Sequence, residues 1–380
     1  MRVACLFLAL ALTPAVTEAQ SVQFGVRGLG IPGRSLATRA IGSGGAFGLF
    51  DLESSQNPAA LVSATTLTSV FTLSQGIQTV ENPAGTADTR VTRFPQLMVA
   101  GPVRTSGLGL GVSYSNYTSR DFTLETSGTI DLRGVPVGIT DSFISRGGLS
   151  DFRFAAGYRL RGQMSAGVGF HLITGSNRLE SRRSFADPDS AYVSSLQRAE
   201  ISFAGVGVSA GLIRQLGPRF AVATMVRWDD HLRVDRDSSR VGTVDLPFSF
   251  GLGMQWRPAP TLSLAGQAIY RTWSGANSDL LEQGGTGAEN TLEVAAGGEY
   301  TPDPKLPTRW PIRFGGHYAR LPFPLVPGQS ADEIGVSAGT GMRFGQQRAG
   351  IDLAVEHVWR SEDVYSEHGF ILWLGVSVRP

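Results

Sequence analysis

Asp229, Asp230 and His231 form the densest group of catalytic residue types in the chain. Asp229 and His231, one residue apart, would share a face of an extended strand. A carboxylate beside an imidazole can activate a water, the chemistry of a surface protease. No second acidic pair accompanies them, and a solvated strand end accounts for the same residues. Asp187-Pro188-Asp189 and Asp235-Arg236-Asp237 offer carboxylates to Ca²⁺ but lack the glycine and closing glutamate of a loop chelator. His171, His317, His357 and His368 are scattered, without metal-ligand spacing. Gly28-Leu29-Gly30-Ile31-Pro32-Gly33 matches the dinucleotide fingerprint in form, but Pro32 has no N–H to offer a phosphate. No Gly-x-Ser-x-Gly elbow supports a lipase nucleophile. These motifs predict no active site, no cofactor and no metal.

The elements that would carry such residues announce themselves more strongly. From Leu246 to Trp256 the even positions are Leu, Phe, Phe, Leu, Met and Trp, while Pro247, Ser249, Gly251, Gly253 and Gln255 fill the odd ones. A strand sends successive side chains to opposite faces, so this segment has one greasy and one small, polar face. Phe370, Leu372, Leu374, Val376 and Val378 repeat the pattern. About fourteen such strands are expected, starting near Ala64, Arg90, Gly107, Asp151, Gln163, Ala199, Arg219, Val241, Thr261, Asn290, Trp310, Asp332, Ala349 and His368. Short turns alternate with longer polar segments: Tyr117 to Ser150, Thr174 to Arg198, Asp229 to Arg240, Ser274 to Glu289, Arg320 to Ala331 and Arg360 to Glu367. Many alternating strands with turns of alternating length predict an all-β fold, a transmembrane antiparallel β-barrel.

Other features agree. Tyr158, Trp256, Tyr300 and Trp310 fall at short-turn strand ends; Tyr114, Trp228, Tyr270, Tyr318 and Trp359 fall at long-loop ends. Two such girdles suit the two membrane interfaces. The inward positions carry charges of both signs, among them Arg153, Arg227, Asp245, Glu293, Arg313, Glu333 and Glu356. Facing lipid, an arginine would cost up to ~2–4 kcal/mol at the midplane. The formal net charge of +1 argues against a nucleic-acid partner.

Three regions are expected. Residues 1–19 read as an export signal, with Arg2, an apolar core from Cys5 to Leu12 and the small-x-small site Thr17-Glu18-Ala19. Cys5 is the sole cysteine, so no disulfide follows in the exported chain. Residues 20–63 lack sustained alternation, yet Phe24, Leu29, Ile31, Leu36 and Phe47 make them too apolar for a disordered tail. They read as a hatch plugging the barrel, which occupies residues 64–380.

The residues resemble a known family at several places. Ala40-Ile41-Gly42-Ser43-Gly44-Gly45-Ala46-Phe47, then Asp51, then Asn57-Pro58-Ala59-Ala60-Leu61 look like the hatch of FadL-type outer-membrane transporters, with Ala60 in place of the family's glycine. Leu246 to Gly253 through Trp256 and Pro258 to Tyr270-Arg271-Thr272-Trp273-Ser274 is similar to the family's central hairpin, and Asn290 to Tyr300 with Pro311 to Tyr318 resembles the next. The chain departs by ending Ser377-Val378-Arg379-Pro380, without a terminal aromatic.

The resemblance implies passive uptake of a hydrophobic small molecule, such as a fatty acid or an aromatic hydrocarbon, across the bacterial outer membrane. The partners it implies are that molecule, outer-membrane lipid and lipopolysaccharide, with the barrel a monomer. Phe47, Leu49, Phe50, Asn57, Pro58 and Ala59 are then the candidate ligand-binding or gating residues on the hatch. Phe122, Leu124, Ile130, Leu132, Val135, Val137, Ile139, Phe143 and Ile144 are candidates for an outer collecting groove. The alternative is a related barrel serving protein secretion or surface attachment as a partner-binding scaffold.

Overall fold

The computed structural model describes residues 23–83, 85–103, 107–185, 192–282, 285–303 and 310–379. The expected export leader and Asp187-Pro188-Asp189 lie outside the described residues.

Among the described residues eighteen strands form a single sheet. They are β1 (Ile31–Pro32), β2 (Thr68–Asn82), β3 (Gly85–Val103), β4 (Leu108–Ser119), β5 (Phe122–Leu132) and β6 (Val135–Leu160). Next come β7 (Met164–Phe185), β8 (Ser195–Gln215), β9 (Phe220–Asp229), β10 (Leu232–Arg236), β11 (Ser239–Val244) and β12 (Phe248–Ala259). The chain finishes with β13 (Leu262–Arg271), β14 (Thr291–Tyr300), β15 (Ile312–Leu321), β16 (Ala331–Phe344), β17 (Ala349–Glu362) and β18 (Tyr365–Val378). Fourteen of them close a transmembrane antiparallel barrel, as the alternation predicts. The last barrel strand, β18, meets the first, β2, in a continuous ladder from Ser366↔Glu81 to Val378↔Ser69. Closure leaves no unpaired edge in the wall, the condition for strands to cross lipid. No helix among the described residues is long and apolar enough to cross a membrane.

Side-chain parity sets the two faces. In β12, Phe248, Phe250, Leu252, Met254 and Trp256 are exposed on the outside while Ser249, Gly251, Gly253 and Gln255 are buried within. Tyr158, Trp256, Tyr300 and Trp310 lie exposed toward the short-turn end, and Trp228, Tyr270, Tyr318 and Trp359 toward the other. Both girdles are present.

Several connections differ from expectation. The stretch from Tyr117 to Ser150 is mostly strand: β5 and β6 form a hairpin that continues beyond the barrel. Thr174 to Phe185 and Ser195 to Arg198 likewise belong to β7 and β8. The strand expected near Val241 is β11, which pairs with β10 in a loop hairpin, while the wall strand starts at Phe248. Asp245 therefore sits exposed in a connection and not in the lumen. Arg360 to Glu367 is a tight hairpin, its strands paired down to Glu362↔Tyr365. Charged and polar residues in these segments suggest loops; strands that run past the membrane are freed from the strict alternation, while Arg360 and Glu367 are charges buried in the lumen.

The plug threads the lumen from end to end. At the long-loop end, Gln23 Nε2 donates to the carbonyls of Ser366 (2.6 Å) and Glu81 (3.3 Å). There β1 adds to β4, with Ile31 opposite Ser119. Gly30, at φ +90°, could not bear a side chain, since a Cβ would fall 2.2 Å from the Ser119 carbonyl. The glycines that mimic a nucleotide motif serve close backbone approach. A short helix, Thr38–Ile41, follows at mid-height, where Leu36, Ala40 and Ile41 pack with Ala354. The 3-10 segment Pro58–Ser63 then lies at the short-turn end, against β4, β6, β7 and β8.

Candidate functional site: the plug and the lumen wall

Asn57 organises the inner end of the plug. Its Oδ1 accepts from the Ala59 N–H (3.0 Å), capping the Pro58–Ser63 segment, and its Nδ2 donates to the Leu49 carbonyl (3.0 Å). Asn before Pro suits this start, because the side chain satisfies an orphan donor and Pro needs none. The wall makes room for the turn with glycines. A Cβ on Gly211 would lie 1.9 Å from Asn57 Oδ1, and one on Gly167 would lie 2.4–2.6 Å from the backbone of Pro58 and Ala59. Leu49 is fully buried against Ala223 and Met225, and its N–H donates to Gln267 Oε1 (3.0 Å). Phe47 and Phe50 are half-buried beside a cavity of about 260 Å³ at the short-turn end, which Gln255 and Arg257 also line. All six candidate hatch residues thus belong to one stretch of plug apposed to the wall.

Ion pairs hold the plug higher up. Arg34 reaches Glu356 (2.7 Å) on β17 and Glu293 (3.3 Å) on β14, and also donates to the Gly44 carbonyl (2.7 Å). Glu53 accepts from Arg343 (3.4 Å) and Arg379 (3.1 Å). Arg39 lies near Asp51 (3.7 Å) and Glu299 (3.9 Å). Ser337 Oγ donates to the Ile41 carbonyl (2.6 Å) and accepts from the Gly44 N–H (2.8 Å). Of the inward charges expected from parity, Arg227, Glu293, Arg313, Glu333 and Glu356 therefore pair with other wall residues or with the plug.

Beside Arg34 a cavity of about 120 Å³ separates the plug from the wall. Ile31, Leu36, Ile41, Val91, Ile371 and Trp373 give it an apolar side, and Arg93, Glu333 and Arg360 a charged one. It abuts a bulge, where the β2–β3 register shifts between Thr72 and Ser74 and Pro95 lies in the bulged part of β3. A bulge with proline weakens the ladder locally.

At the mouth, Phe122, Leu124, Ile130, Leu132, Val135, Val137, Ile139 and Phe143 share one face of the β5–β6 hairpin by their register, and Ile144 lies on the other. The shared face continues the lumen-facing side of β6, because the β6–β7 register runs without a shift from Ile139 to Leu160. Phe122, Val137 and Ile139 are buried, while Leu124, Val135 and Phe143 are exposed.

The protease-like pair comes apart. Asp229 is buried and bound by Arg227 Nε (2.8 Å) and Tyr117 OH (2.9 Å), whereas the exposed His231 pairs with Asp230 (2.8 Å). Asp229 ends β9 and His231 lies beyond the strand, so strand parity no longer relates them. A different group assembles instead: His171 Nδ1 contacts both Asp151 oxygens at 2.9 Å, and its Nε2 lies 2.9 Å from Ser209 Oγ. Sequence reasoning treats His171 as isolated. Asp151, His171 and Ser209 stand on three neighbouring strands, 20 and 38 residues apart, and only their register brings them together. Their shared odd parity is the one signal the sequence offers.

A family model described as BamG matches residues 51–227, from the plug into β9. No curated protein matches the sequence. Among solved structures, a Pseudomonas aeruginosa FadL homologue superposes with a TM-score of 0.63 at 14% identity, covering 92% of this chain and 99% of that one. The CymD monoaromatic hydrocarbon channel gives 0.57 at 15% identity, covering 91% and 98%. The Ralstonia pickettii toluene transporter TbuX gives 0.56 at 14% identity, covering 92% and 99%. At these identities the likeness establishes the fold, a plugged fourteen-stranded barrel shared with channels for hydrophobic compounds.

Proposed function

We propose that this chain is a passive outer-membrane conduit for hydrophobic small molecules, gated by its plug. The observation that carries the reading is the cavity between plug and wall at the β2–β3 bulge, apolar on one side and charged on the other. Its volume of about 120 Å³ is close to that of an engineered cavity that holds benzene, roughly 150 Å³. An aromatic hydrocarbon fits the closed state; a long-chain fatty acid requires the plug to move. Each buried CH₂ contributes ~0.8 kcal/mol, so either solute binds without many polar contacts.

In this reading residues 1–19 are removed on export, residues 20–63 act as the hatch, and the short turns face the periplasm. The apolar face of β5–β6 collects the solute outside, and the bulge offers a lateral path into the membrane. Phe47, Leu49, Phe50 and the Asn57-Pro58-Ala59 turn form the inner gate. Lipid and lipopolysaccharide contact the outer belt of a monomer. With no energy source, release follows from plug movement that lowers affinity.

A second reading, a partner-binding scaffold, is favoured by the length of β6. Thirteen residues, 135–147, precede its last pairing with β4, Gly148↔Ser119. At ~3.3 Å per residue they extend the sheet about 40 Å past the barrel rim. Native mass spectrometry of the detergent-extracted protein separates the two readings. The conduit predicts bound hydrophobic small molecules released on collisional activation; a stoichiometric protein partner with no such molecule supports the scaffold.

A further inference from the structure

We propose that Asp151, His171 and Ser209 form an acyl-transfer site in the lumen, able to cleave a lipophilic ester. This goes beyond transport and does not depend on which solute is carried. With the Nδ1 proton of His171 held by the Asp151 carboxylate, Nε2 is bare and accepts from the Ser209 hydroxyl. A nucleophile, its base and the group that orients the base thus stand in the order and spacing that activate serine on unrelated folds.

Two further observations belong to the same place. Opposite Ser209 in the ladder is Gly169. A Cβ there would lie 2.6 Å from Ser209 Oγ, 3.5 Å from His171 Nε2 and 3.5 Å from Arg153 Cδ. The room a side chain would need at Gly169 is taken by Ser209 Oγ, so the nucleophile, the base and Arg153 converge over this glycine. Arg153 is 2% exposed and, among the described residues, makes no ion pair and leaves Nε and Nη1 without a hydrogen-bond partner. Asp151 is already taken by His171 and by Arg227 Nη1 (2.6 Å). Buried donors without acceptors are rare and costly. Beside a serine they match the need of a tetrahedral oxyanion.

The chemistry balances with water as the second reactant. Ser209 Oγ bonds to the acyl carbon as its proton passes to Nε2 of His171. The bond to the alcohol oxygen breaks, and the alcohol leaves with that proton. Water then attacks the acyl carbon and gives a proton to His171; the bond from the acyl carbon to Ser209 Oγ breaks, the carboxylic acid departs, and Oγ takes that proton from Nε2. Asp151 acts as a positioning residue, and Arg153 stabilises the oxyanion.

The plug covers this site. Ser55 and Gln56 line a cavity of about 60 Å³ with His171, and Asn57 lies against Gly211, two residues along the strand from Ser209. Such a space holds water and no ester, so access needs the same plug movement as transport.

The test is labelling of the folded, detergent-solubilised full chain by a long-chain alkyl fluorophosphonate, read by intact mass and peptide mapping. The expected result is one adduct on Ser209 with loss of fluoride, formed at least tenfold faster in Asn57→Ala. Ser209→Ala should abolish it, and His171→Gln should slow it about 100-fold, the usual share of a general base. Asp151→Asn should lower the maximal labelling rate with the half-saturating probe concentration unchanged. Heat-shifted gel migration verifies that each variant retains its barrel. The proposal is overturned if neither wild type nor Asn57→Ala is labelled, if the adduct maps elsewhere, or if His171→Gln labels at the wild-type rate.

Discussion

Replacing Arg34 by Met is expected to unseat the plug while the barrel persists. The guanidinium bridges Glu356 and Glu293, both almost fully buried, and also donates to the Gly44 carbonyl. Removing one partner of a buried ion pair leaves uncompensated charge and typically costs about 3–5 kcal/mol. Glu293 keeps Arg271 (3.1 Å), and Glu356 keeps Trp373 Nε1 (3.1 Å) and His317 (3.6 Å), so the wall itself remains braced. The cost therefore falls on plug seating, shifting it by more than about 100-fold. Rapid proteolysis within the plug and ion conductance in planar bilayers should both appear. Arg39→Met is the contrast. Its side chain is 36% exposed and its pairs are 3.7 Å and longer, so an effect below about 1 kcal/mol is expected. Equal conductance in the two variants would show that Arg34 does not latch the plug.

Asn57→Ala should have the second largest effect, confined to the inner end of the plug. It removes the cap on Ala59, worth about 1 kcal/mol, and strips the buried Leu49 carbonyl of its 3.0 Å donor, a further ~1–3 kcal/mol. Solute flux should change several-fold with heat-shifted migration of the barrel unaltered. Asn57→Asp is informative beside it. Aspartate keeps the capping oxygen but turns a second acceptor on the Leu49 carbonyl, so the cap survives and the link from turn to hatch does not. Loss of folded barrel in Asn57→Ala would show that the turn serves assembly and not gating.

The barrel wall was legible because lipid outside and a polar lumen inside impose a period of two on every strand that crosses. Phe248 to Trp256 and Phe370 to Val378 follow it without exception on their outward faces. Where lipid ends, so does the constraint. Hence β5 and β10 read as loop, and β11 reads as a wall strand at Val241. The Arg360 to Glu367 connection misled for a different reason: its charges are lumenal, with Arg360 bound by Glu333 and Glu367 inside the barrel. In the site, the Asn57-Pro58-Ala59 turn was visible as a motif, whereas its glycine sockets at Gly167 and Gly211 were not. Register between strands is set by barrel shear, which a single sequence does not display. The same blindness separated Asp151, His171 and Ser209, and the same parity rule wrongly joined Asp229 to His231.

The central claim is that the plug gates a path for hydrophobic solutes, and uptake measured in cells carrying equal amounts of folded barrel tests it most directly. Accumulation of radiolabelled toluene and of a long-chain fatty acid should be compared between wild type, Arg34→Met, Asn57→Ala and a strain lacking the chain. The account predicts that wild type raises the initial uptake rate of at least one of them several-fold over the deficient strain. Both plug variants should then change that rate without changing barrel abundance. Rates equal to the deficient strain for both solutes, in wild type and in both variants, would contradict it.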